Sequence, residues 1–72
     1  MNTKILTNLG KNIKKYRLEL GLTQEKLAEK VKVHPTYIGK IELGKINPSV
    51  MRLFVISRAL NIKLTDLFDF DK

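Results

Sequence analysis

Apolar residues recur along this chain at spacings of three and four, in five short runs separated by brief turns. In the first run, residues 7–20, Leu9, Ile13, Tyr16/Arg17 and Leu20 make one helical stripe, and Lys11, Lys14 and Lys15 fall on other faces. Gly21 then stands where a C-terminal cap glycine belongs. The second run opens at Thr23, an N-cap residue type, with Gln24 and Glu25 in its first turn and Leu27, Ala28 and Val31 apolar. The third starts with Pro35, favoured at a first helical position, turns Ile38 and Ile41 inward and stops at Gly44. In the fourth, Asn47 and Pro48 read as an N-cap and a first-turn proline; Val50, Leu53, Ser57 and Leu60 mark one face, and Asn61 ends it. The fifth is one or two turns over residues 65–70, with Leu64, Leu67 and Phe68 apolar. No segment alternates like a half-buried strand over more than a few residues. The pattern predicts an all-α, compact five-helix bundle, a single domain over residues 1–72.

Composition narrows what such a bundle does. A chain of 72 residues makes one small core and leaves no room for a deep catalytic cleft. With no cysteine and one histidine, neither disulfides nor a structural zinc are expected, and no cofactor is implied. No stretch nears the roughly 18 apolar residues of a membrane span. Residues 1–15 lack the apolar core and cleavage site of a signal peptide, so a cytoplasmic protein is expected. The formal net charge is +7, and residues 1–45 carry +6 of it. Charge gathered in one part of a small domain suits a polyanionic partner, although a solvated basic surface gives the same count.

Two short helices joined by a tight turn, the second with a polar outer face, form a DNA-reading unit. Residues 23–31 and 35–43 have that form. With Ile38 and Ile41 turned to the core, Thr36, Gly39, Lys40 and Leu43 stand opposite, free to enter a major groove.

The stretch LTQEKLAEKVKVHPTYIGKIELGKINPSVMRLFVISRALNI, residues 22–62, resembles the Cro/C1-type helix-turn-helix family, also called the xenobiotic response element family. Within it, HPTYIGKIELGKINPS is similar to the recognition segment of restriction–modification controller proteins, and the whole resemblance covers about residues 9–68. It implies a lambda-repressor-like fold with residues 35–43 as the recognition helix. It implies base-edge contacts from Pro35, Thr36, Tyr37 and Lys40: threonine by hydroxyl or methyl, lysine to guanine, proline by apolar contact alone. Controller proteins often carry arginine where Pro35 stands. Tyr37, at the margin of the face, is open to three roles: base contact, phosphate contact, or packing on the first helix. Gln24, Lys45, Asn47 and Arg17 are the implied phosphate contacts. Arg17 and Glu42 correspond to a family salt bridge between the first and third helices, since a charge on an inner face needs a partner. His34 reads as a capping or surface residue, and Lys32 occupies a turn position where the family often has Gly or Asn, one that can require positive φ.

Regulators of this type usually read two half-sites about 34–36 Å apart. The fourth helix carries surplus apolar residues, Met51 and Val55 with Phe54 and Ile56, and Ile62, Leu64 and Phe70 follow closely. A homodimer through residues 49–70 is expected, with Met51, Val55, Ile62 and Phe70 at its interface, unless the tail folds back over them. The reading is therefore a homodimeric, double-stranded-DNA-binding transcriptional regulator on a palindromic operator. The alternative is a protein-interaction module, such as an antitoxin or adaptor, with secondary DNA binding. Catalysis has no support: Asp66, Asp69 and Asp71 face no partner set, and no nucleophile–base pair is present. No effector-binding domain is legible, so no small-molecule ligand is expected.

Overall fold

A computed structural model describes residues 4–70; Asp71 and the two ends of the 1–72 span lie outside the described residues. Four α-helices are followed by a single 3-10 turn, and no strand occurs among the described residues. The helices are α1 (Lys4–Glu19), α2 (Gln24–Val31), α3 (Pro35–Glu42) and α4 (Val50–Ala59); the 3-10 turn is Leu64–Phe68. The fifth helix expected from the sequence is thus a correction: Asp66 accepts from the Lys63 N–H at 2.9 Å, and the segment closes after one short 3-10 stretch.

The helix starts follow local chemistry. Thr23 caps α2 by accepting from the Lys26 N–H at 3.0 Å, and His34 Nδ1 accepts from Thr36 N–H at 3.1 Å in front of Pro35. Helix α4 begins later than the Asn47–Pro48 pair suggests. Ser49 is its N-cap, accepting from the Arg52 N–H at 3.1 Å, and Asn47 is an exposed loop residue. Lys32 ends α2 in the left-handed region at φ 62°, the conformation its turn position demands.

Eleven apolar side chains from all five elements share one core. Leu9 and Ile13 come from α1, Leu27, Ala28 and Val31 from α2, Ile38 and Ile41 from α3, Leu53 and Ile56 from α4, then Leu60 and Leu67. Two positions expected inside lie outside. Leu20 falls beyond the end of α1 and is exposed, and Val50 is 70% exposed at the first position of α4. Ile56, read as surplus surface, is instead fully buried. The true inner stripe of α4 is Leu53, Ile56 and Ser57, continued by Leu60.

Gly10 lets α1 meet the end of α3. A Cβ there would lie on the Ile41 carbonyl and 2.6 Å from the Glu42 carbonyl oxygen. Gly44, at φ +74°, does the same for the following loop, whose backbone passes against Thr7. No described helix is long and apolar enough to cross a membrane.

Candidate nucleic-acid interface

Helix α3 has two unlike sides. Inward it buries Ile38, Ile41 and Glu42; outward it exposes Thr36, Lys40 and Leu43, with Gly39 between them. Its inner side is clamped by one charged network. Arg17 Nε donates to Glu42 Oε2 at 2.6 Å and Arg17 Nη2 to Oε1 at 3.1 Å, while Nη1 donates to the Leu22 carbonyl at 2.7 Å. Gln24 Nε2 donates to the same Glu42 Oε1 at 2.9 Å, so α1, α2 and α3 meet at one carboxylate. A buried pair is stable only when its remaining donors and acceptors are satisfied, and among the described residues no buried side-chain polar atom lacks a partner.

An open cleft of about 630 Å³ separates the start of α2 from the outer side of α3. Thr23, Gln24, Thr36, Gly39, Lys40 and Lys45 are among its walls. A Cβ at Gly39 would stand 3.5 Å from Gln24 Oε1, in ordinary contact across the cleft. The first-turn N–H groups of α2 lie in this same wall, and such groups attract anions.

The expected site residues therefore separate into three places. Pro35, Thr36, Lys40, Gln24 and Lys45 are brought together around the cleft. Asn47 is exposed in the loop before α4. Arg17 borders the cleft, but it is 6% exposed and engaged through all three guanidinium nitrogens, which leaves little of it to offer a phosphate. Gln24, expected to contact a phosphate, gives one of its amide protons to Glu42. Tyr37 is half-buried, and its ring is covered by Arg52 of α4, at 5.5 Å from guanidinium carbon to ring centroid. That is a different neighbour from the first helix. Sequence reasoning missed Arg52, because two residues 15 positions apart on different helices carry no periodic signal of contact.

On α4, Met51 is 70% and Val55 36% exposed, beside exposed Val50 and Phe54. The described part of the tail does not cover them, and Phe68 is itself exposed. Ile62 and Phe70, also expected at the interface, are half-buried and pack against the core.

These features define a helix-turn-helix domain with a displayed recognition helix. Residues 13–67 match the helix-turn-helix family pattern, and the chain belongs to that Cro/C1-type family. It is 44% identical over 59 residues to an uncharacterized HTH-type transcriptional regulator of Archaeoglobus fulgidus, covering 82% of this chain and 84% of the relative. It superposes with a TM-score of 0.85 on the restriction–modification controller protein C.AhdI from Aeromonas hydrophila, at 32% identity, over 88% of this chain and 96% of the other. The biofilm master regulator SinR, solved in complex with DNA, matches with a TM-score of 0.80 at 37% identity, over 85% of this chain and 98% of that one.

Proposed function

We propose that this protein is a sequence-specific regulator of transcription that binds double-stranded DNA as a homodimer and reads a palindromic operator through the major groove. The two-sidedness of α3 carries this reading. A helix buried through Ile38 and Ile41, fixed by Glu42 and bare on the Thr36, Lys40 and Leu43 side is a probe held rigidly outward. Thr36 and Lys40 present a hydroxyl, a methyl and an ammonium to base edges, and Pro35 adds apolar contact at the helix entrance. Gln24, the α2 N-terminus, Lys45 and Asn47 supply backbone contacts that set the register. The related controller protein and SinR support the assignment of class.

The dimer rests on the open apolar face of α4. Val50, Met51, Phe54 and Val55, at adjacent positions of one helix, leave an exposed apolar face of the kind that marks a protein contact. A second copy is the occupant that matches a palindromic site, because a two-fold axis through α4 repeats the recognition helix. Selection of bound duplexes from a random pool, followed by footprinting, tests the whole reading. The expected result is an inverted repeat with half-site centres about one helical turn apart. A pool that enriches no motif, or enriches only single half-sites, argues against it; the α4 face would then serve a different protein.

A further inference from the structure

We infer that Tyr37 and Arg52 together form a phosphate clamp on the flank of the recognition helix, in which the tyrosine ring orients the arginine and the arginine grips the DNA backbone. The inference rests on the DNA-binding reading above and adds to it a contact that the sequence did not reveal. Tyr37 lies on α3 directly after Thr36 and three residues before Lys40, so it shares the helix edge next to the outward face. Neither Tyr37 nor Arg52 lines the cleft on the α2 side, which puts the pair on another flank of α3.

Arg52 is exposed in the first turn of α4, and its guanidinium carbon stands 5.5 Å from the centre of the Tyr37 ring. This is within the range at which a cation is held by an aromatic face. Among the described residues no carboxylate pairs with Arg52, whereas Arg17 is fully engaged with Glu42. A guanidinium lying over a ring keeps its in-plane N–H groups directed away from the ring edge. Those donors match a phosphate in a forked, two-bond geometry that lysine cannot reproduce.

A helix in the major groove runs between two phosphate backbones. On one flank of α3, the start of α2 and Lys45 offer donors around the cleft. On the other flank, Arg52 stands in the first turn of α4 over the Tyr37 ring, and a helix N-terminus favours an anion nearby. Tyr37 then contributes to affinity through its ring and not through its hydroxyl. It is a positioning residue, and Arg52 is the group that touches DNA.

Fluorescence anisotropy on the selected duplex and on a scrambled duplex, across a series of salt concentrations, tests the clamp. Arg52→Ala should weaken binding to both duplexes by a similar factor, about tenfold, and lower the salt slope by roughly 0.9 per protomer bound. Arg52→Lys should recover only part of the loss, because it keeps the charge and lacks the fork. Tyr37→Phe should bind within about twofold of the wild type, since the ring remains. Tyr37→Ala should weaken binding clearly in the wild-type background and hardly at all in the Arg52→Ala background. The clamp is overturned by an Arg52→Ala protein that keeps the wild-type slope. It is equally overturned if Tyr37→Phe loses as much as Tyr37→Ala and changes site preference, for then the hydroxyl reads a base. Wild-type protein that binds the selected duplex alongside either result separates failure of the clamp from failure of DNA binding. Wild-type protein that binds no duplex overturns both. Arg52 is exposed and holds no core contact, so its variants fold and keep the measurement decisive.

Discussion

Arg17 and Glu42, 25 residues apart in the chain, make a two-pronged ion pair that is 7% and 3% exposed on its two side chains. Through it, the end of the first helix holds the end of the recognition helix. Glu42→Ala should cost roughly 3–5 kcal/mol of stability, because it leaves a buried guanidinium with only the Leu22 carbonyl as partner. Urea unfolding followed by circular dichroism checks this. A variant as stable as the parent would mean that water reaches Arg17 and that the pair is not a clamp.

Gly10→Ala and Gly39→Ala should move stability in opposite directions. Alanine is favoured over glycine inside a helix by about 1 kcal/mol. At Gly10 a methyl would collide with the Ile41 and Glu42 carbonyls, which are backbone and cannot step aside. Overpacking of that kind costs typically 1–3 kcal/mol, so the net effect is loss. At Gly39 the nearest atom is the Gln24 amide oxygen at 3.5 Å, an ordinary contact, so the helix gain of up to about 1 kcal/mol survives. Thermal melts of the two variants, side by side, would show a lower midpoint for the first and a higher one for the second.

Lys32→Gly should stabilise the protein by about 0.5–1 kcal/mol. Lys32 holds φ 62°, ψ 48°, a conformation that costs a residue with a Cβ about 1–2 kcal/mol and glycine almost nothing. The greater freedom of glycine in the unfolded chain takes back part of that gain. A chemical-denaturation midpoint equal to or below that of the parent would show that Lys32 earns its place by other contacts.

Lys40→Ala and Lys45→Ala should differ in kind. Lys40 stands on the outward face of α3, where its loss should relax sequence preference by about 1–3 kcal/mol at one base pair. Lys45 stands in the loop after α3, where its loss should weaken all duplexes alike and reduce the salt slope by about one. Binding to a panel of single-base operator variants distinguishes the two patterns; identical profiles would refute the division into base and backbone contacts.

Met51→Glu combined with Val55→Lys should give a monomer by sedimentation at high micromolar concentration, with the circular dichroism of the parent. Both side chains are exposed, so neither charge enters the core. A parent that already sediments as one chain would remove the dimer from the proposal.

Sequence alone determined the helical class, most of the core of the first three helices and the inward-facing side of α3. Leu9, Ile13, Leu27, Ala28, Val31, Ile38 and Ile41 were legible because a helix buries every third or fourth residue, and all seven are buried. Local caps such as Thr23 and His34 were legible for the same reason, since a cap is a contact over two or three residues. Tertiary structure decided the rest. On α4 the expected face of Leu53, Ser57 and Leu60 is kept, Ile56 joins it and Val50 at the first helical position is left exposed. Coverage of the flanking positions is set by neighbouring elements and not by the period of the helix itself. The last segment is too short to propagate as an α-helix and settles as a 3-10 turn, tied to α1 by Asn12 donating to the Leu67 carbonyl at 2.8 Å. The Gln24–Glu42 bond, the Gly10 approach and the Arg52–Tyr37 stack each join different helices. Periodicity describes which way one helix faces, and it carries no information about which side chain of a neighbouring helix arrives there.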